Sequence, residues 1–242
     1  MPLHPTAEMM IKVLHDTGLT FTPETTPEDR RAAMIAATTN PAFPKHPVHD
    51  VGNRTIPGPG GSIPVRVYRP SAHDALPLLM WFHGGGWVTG NLAAVVALCA
   101  RDAGLPQPKL QLLVYPVTDY EFESPAMIEN AKGYFLELES MRWFYDHYAG
   151  TRADFDEWRF SPMRAPDVAG VAPAVVITAE FDPLRDQGEA YGRRLQQAGV
   201  PTDIVRAEGL IHGFFGMHAF MPPGQHAWDV SVRALRDALD LS

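Results

Sequence analysis

The chain has 242 residues, 45% of them hydrophobic, with a formal net charge of −8 and one cysteine. That is enough apolar material for one full core, and the acidic balance argues against a nucleic-acid binder, which carries a basic stripe. Cys99 alone excludes an internal disulfide and reads as core filler. With no leader pattern and no apolar run of membrane-span length, a cytoplasmic protein is the expectation.

Residues 1–45 read as two amphipathic helices. Ala7, Met10, Ile11 and Leu14 recur at helical spacing and Gly18 can end the run. Thr26-Pro27 is a cap with a first-turn proline, opening a helix through Ala36. The pair serves either ordinary packing or a lid over a site. From Val48 the period changes to that of strands, Val48–Ile56 and 63–68, joined by a turn at Gly58–Gly61. Leu76–Phe82 is nearly continuously apolar, as in a strand buried on both faces. Helix and strand then alternate: helix Leu92–Ala103 with Gly104 as its stop, strand Leu110–Tyr115, helix Glu139–Tyr148, strand Ala174–Ala179, helix Arg185–Ala198, strand Thr202–Ala207 and helix His226–Leu241. This order predicts an α/β fold, a mostly parallel sheet flanked by helices. The stretch 120–173 is poor in strand and adds to the lid.

Three places could do chemistry. His83-Gly84-Gly85-Gly86-Trp87 follows the apolar run directly. Its glycines let the backbone turn sharply and leave amides bare, and two such amides aimed at one point stabilise an oxyanion. The G-x-G-x-x-G and P-loop spacings both fail here. Asp182 sits just past strand Ala174–Ala179, at the edge where α/β sheets place their sites. It reads as a catalytic acid or as a cap of the next helix, and Asp186 is the rival carboxylate. His212 follows the last strand in "GLIHGFFGM", at the same edge. It reads as a general base or as a packed loop histidine. One helix and one strand separate Asp182 from His212, so they can meet at neighbouring strand ends, within hydrogen-bond reach. His46, His49 and Asp50 lack metal-site spacing and read as a surface loop, so no metal is expected, and no motif asks for any other cofactor.

The segments "HGGGW", "NLAAVVAL", "QLLVYPVTD", "GYFL", "SMRWFYDHY", "VITAEFDPLRDQGEAYGRRL" and "IHGFFGM" together resemble the hormone-sensitive-lipase-like esterase branch of the α/β-hydrolases, across nearly the whole chain. The resemblance implies a carboxylic ester hydrolase of esterase or lipase type, acting on small acyl esters through a Ser-Asp-His triad. It implies Gly85 and Gly86 as oxyanion donors with Gly84 shaping the loop, Asp182 as acid and His212 as base. It also implies domains of 1–45 as cap helices and 46–242 as hydrolase core, with 120–173 partly cap.

One part of the pattern is missing. The family places a G-x-S-x-G elbow before the helix that here begins at Leu92, and no serine of this chain has glycine at both −2 and +2. A strand, a helix and a second strand would separate the HGGG loop from that elbow, roughly 60–80 residues with connections. Gly90-Asn91-Leu92 occurs once and suits both contexts. The reading is an internal deletion at about 90–92 that removes two central strands and the nucleophile. Leu76–Phe82, Leu92–Ala103 and Leu110–Tyr115 would then form one right-handed βαβ unit. Three functions remain: an ester hydrolase by family with little or no turnover, a catalytically dead binding or assembly protein, and hydrolysis in which His212 activates water. Unpaired sheet edges recruit other chains, so a homodimer or higher oligomer is expected, with contacts near the junction.

Overall fold

The computed structural model describes residues 2–17, 25–38, 46–58, 60–73, 76–84, 89–149 and 155–241. The chain divides into two compact units, one of Met1–Thr26 with Trp81–Ser242 and one of Pro27–Met80.

The smaller unit holds helix α2 (Pro27–Thr38) and an antiparallel hairpin, β1 (Asp50–Gly58) with β2 (Gly61–Arg69). Register runs from Asp50 opposite Arg69 to Gly58 opposite Gly61. The tight reversal works because Gly61 takes φ 132°, which a side chain disfavours. The strand expected at Leu76–Phe82 does not form. Among the described residues this stretch joins no ladder, and Leu78 and Trp81 are 82% and 62% exposed. The βαβ unit expected to start from it is therefore absent. Apolar residues favour a strand only where a neighbour takes the backbone N–H and C=O groups, and the sheet of the larger unit assembles without this stretch.

In the larger unit three parallel strands, β3 (Gln111–Val114), β4 (Ala174–Phe181) and β5 (Thr202–Ile211), lie in the order β3-β4-β5. Alternate residues of β4 point to opposite cores, as the two-residue period of a strand requires. Ala174 and Val176 pack with Ala94, Ala97 and Leu98 of α3 (Thr89–Asp102) and with Tyr191 and Leu195 of α6 (Arg185–Gln197). Val175, Ile177 and Ala179 pack with Ala7 of α1 (Pro5–Asp16) and Ala227 of α7 (Gln225–Ala238). Helices thus cover both faces, the condition for a parallel sheet. Gly104 (φ 63°) ends α3, with Leu105 N–H closing back on the Ala100 carbonyl.

Residues 120–173 carry α4 (Pro125–Glu129) and α5 (Leu138–Ala149) and, among the described residues, no strand. Met127, Leu136, Met141, Tyr145 and Phe160 form a third core with Val117 and Leu184. Helix α1, expected to share a cap with α2, packs on the core of the larger unit. The His4 N–H donates to the Gly209 carbonyl at 2.9 Å.

Candidate active site

Strands β4 and β5 end side by side, and their ends carry the two candidate residues. Strand β5 runs to Ile211, four residues past the expected end, so His212 leaves the strand directly. Asp182 follows Phe181 at the end of β4 and is fully buried. The His212 Nδ1 to Asp182 Oδ2 distance is 2.8 Å. A carboxylate can only accept, so Nδ1 carries the proton and donates it, leaving Nε2 of the neutral ring as an acceptor. The second carboxylate oxygen accepts from the Leu184 N–H at 2.9 Å. One Asp182 oxygen thus fixes the turn ahead of α6, whose N-cap is Leu184 without a side-chain cap, and the other holds the imidazole. The His212 side chain keeps 21% of its surface, so the ring reaches solvent from a buried anchor.

The rival Asp186 is otherwise engaged. Its carboxylate takes the Arg185 guanidinium at 2.8 Å and the Ala126 N–H at 2.7 Å, tying α6 to α4. Burial pushes its pKa up, but the bonds from Arg185 and Ala126 outweigh this and hold it below the usual carboxylate range.

Of the glycine loop, Gly84 is exposed and open around its Cα, and the His83 Nδ1 lies 3.0 Å from its carbonyl. Gly85 and Gly86 lie outside the described residues, so the cleft expected to hold them with His212 does too. The first helical residues after the loop are described. Gly90 approaches Pro116 so closely that a Cβ would lie 2.5 Å from the proline Cβ and 2.7 Å from its Cα. Asn91, fully buried, donates from Nδ2 to the Val117 carbonyl (3.1 Å) and the Phe160 carbonyl (2.8 Å). The start of α3 is thus seated against the chain leaving β3. Sequence reasoning named Asn91 only as part of the junction and gave Tyr115 no role beyond ending a strand. The Tyr115 ring sits 4.3 Å from the His212 ring, centroid to centroid, at 49°. Burial first, and then the charge of Asp182, push its phenol well above the usual range, so it stays protonated.

Among the described residues no three metal-ligating side chains come together, and no helix is long and apolar enough to cross a membrane. What the site offers is an imidazole oriented by a buried carboxylate at a sheet edge, the acid–base part of acyl-transfer chemistry.

Comparison with known proteins bears on the family of the chain. The profile of a family described as α/β hydrolase fold matches residues 89–216. The carboxylic ester hydrolase LipN of Mycobacterium tuberculosis is 31% identical over 253 aligned positions, covering 73% of this chain and 67% of LipN. The ethyl acetate hydrolase of Pseudomonas putida is 30% identical, covering 74% of this chain and 80% of that enzyme. A solved structure from a study of two Rhizomucor miehei esterases superposes with a TM-score of 0.87 at 28% identity, covering 100% of this chain and 98% of that one. With the parallel sheet, the flanking helices and the paired strand-end acid and histidine, these matches place the chain in the α/β-hydrolase fold family, among relatives that are carboxylic ester hydrolases.

Proposed function

We propose that the chain is a deletion form of a small-ester carboxylic ester hydrolase that keeps the acid–base half of the triad, Asp182 and His212, and lacks the serine elbow. One observation carries this: the 2.8 Å His212–Asp182 bond at adjacent strand ends, in a chain where no serine has glycine at both −2 and +2. In the whole-family mechanism serine attacks the ester carbonyl, His212 takes its proton and returns it to the leaving alcohol, and Asp182 holds the imidazole. Gly85 and Gly86 hold the oxyanion, with Gly84 shaping the loop.

Two facts support the deletion. The LipN alignment runs over 253 positions while using 73% of 242 residues, about 177, so about 76 of its positions face no residue here. That is the size of the missing strand, helix, strand and elbow. The family match also begins at residue 89, beside the single Gly90-Asn91-Leu92. On this reading two central strands are gone.

Without serine the remaining route is water. His212 Nε2 removes a proton as water oxygen bonds to the carbonyl carbon, and the proton then passes to the departing alkoxide, giving acid and alcohol. Loss of a triad member leaves roughly 10³–10⁴-fold over uncatalysed water at best. The test is p-nitrophenyl acetate turnover by wild type and by His212→Ala. A low rate, erased in His212→Ala, is expected. Fast turnover with an acyl-enzyme burst would show that a nucleophile exists.

A second reading is a catalytically silent assembly protein. It is favoured by β3, which pairs only with β4 among the described residues, and by the exposed run Leu78–Trp81. The sheet edges left by the deletion make a homodimer or higher oligomer the expected assembly, and light scattering should report at least twice 26.7 kDa. A stable monomer contradicts it.

A further inference from the structure

Among the described residues only three non-glycine residues have positive φ: Tyr115 (35°), Phe135 (73°) and Asp240 (54°). Asp240 lies near the end of the chain. The other two converge on one dipeptide. The Tyr115 ring packs on His212 at 4.3 Å. Phe135 reaches Gly213 from the other segment, so that a Cβ on Gly213 would lie 3.2 Å from the Phe135 Cε1. Tyr134, beside Phe135, packs its ring 5.0 Å from Phe181, the residue before Asp182.

Left-handed backbone is unfavourable for a bulky residue and persists only where the surroundings impose it. Tyr115 is held there although it precedes Pro116, which drives it toward extended backbone. Its N–H is fixed by the Ile177 carbonyl at 2.6 Å, which anchors the strained turn to β4. At Gly213 (φ 85°) the chain turns immediately after the histidine, and the bare Cα leaves room for the Phe135 ring edge. Two strained aromatics therefore bound the turn that carries the imidazole.

We infer that Tyr115 and Phe135 are positioning residues: they clamp the His212–Gly213 turn from two sides and hold the imidazole on Asp182. The clamp rests on reading His212 as the general base. It also gives a role to the "GYFL" segment, Gly133–Leu136, which links the strand-poor 120–173 region to the base. A movement of that region would loosen or tighten the imidazole through Phe135.

The test reads the imidazole rather than turnover, so a protein silent toward esters leaves it decidable. Exchange of the His212 Nδ1 proton with water is followed by NMR in wild type, Tyr115→Phe, Tyr115→Leu and Phe135→Gly. Glycine suits φ 73° and removes the ring without adding strain. His218, whose Nδ1 lies 3.0 Å from the Phe215 carbonyl, is the internal reference. Tyr115→Leu and Phe135→Gly should speed His212 exchange roughly ten-fold or more with His218 unmoved, while Tyr115→Phe behaves as wild type. Unchanged His212 exchange in either ring-removing variant overturns the clamp. So does Tyr115→Phe failing as Tyr115→Leu does, which would assign the effect to the hydroxyl. Parallel changes at His218, or failure of a ring-removing variant to fold, would make the ring a core residue and overturn it as well.

Discussion

The seating of α3 can be tested by adding one methyl group. In Gly90→Ala the new Cβ would stand 2.5 Å from the Pro116 Cβ and 2.7 Å from its Cα, distances real side chains do not show. Pro116 cannot yield by changing rotamer, since its ring and backbone are one rigid unit. The helix start must lift instead, and it takes Asn91 with it. Overpacking of this kind costs about 1–3 kcal/mol. Stretching the two Asn91 bonds to Val117 and Phe160 leaves buried groups short of partners, adding about 1–3 kcal/mol. Better helix propensity returns about 1 kcal/mol. The net loss is roughly 1–5 kcal/mol, about 3 at the centre of that range, which lowers Tm by roughly 6–12 °C for a chain of this size. Gly84→Ala is the control, because nothing lies within 4 Å of its Cβ position; its Tm should stay within about 2 °C. Thermal unfolding followed by circular dichroism measures both. Equal melting of Gly90→Ala and wild type would refute the close approach of α3 to the chain leaving β3.

Three further outcomes are expected. Asp182→Asn places an amide N–H₂ or its carbonyl opposite Nδ1; with Leu184 N–H claiming the oxygen, the imidazole should move its proton to Nε2, seen as a tautomer change in the ¹⁵N spectrum, and stability should fall by about 1–3 kcal/mol. Glu189 is raised by burial but lowered further by the Arg206 fork (2.7 and 2.8 Å), so its folded pKa lies below the unfolded one. Its stabilisation is present above the unfolded value and is lost as pH falls through the folded one; Arg206→Gln should flatten that acid limb in urea titrations across pH. Gly192→Leu should destabilise strongly, since even a Cβ there would lie 2.9 Å from Ile204 Cδ1 and Cγ1, prising α6 from β4 and β5; an unchanged urea midpoint contradicts this packing.

Much of this fold is written locally. Strand β4 could be read because its residues are apolar on both faces, and α1, α3 and α6 because glycine follows each one's last turn. Asp182 and His212 could be paired because one helix and one strand separate them in an α/β order. Leu76–Phe82 misled because its composition matches a central strand, while a parallel strand depends on partners far away in sequence. Helix α3 starts three residues early, at Thr89, because Pro116 and the Asn91 bonds hold the first turn, whatever Gly90 prefers. Tyr115 and Phe135 were hidden for another reason. Positive φ can be anticipated at glycine, and an aromatic in that region is imposed by its surroundings. The only available signal was the "GYFL" and "VYP" wording itself.

The central claim is that the base and acid remain while the nucleophile is gone. Intact-protein mass spectrometry after incubation with a fluorophosphonate tests this most directly, because the reagent labels only an activated serine. The predicted spectrum is unmodified protein at 26.7 kDa, with His212 still hydrogen-bonded to Asp182 in the same sample. A single stoichiometric adduct, lost in His212→Ala, would mean that one of the chain's serines is the nucleophile and would contradict the account.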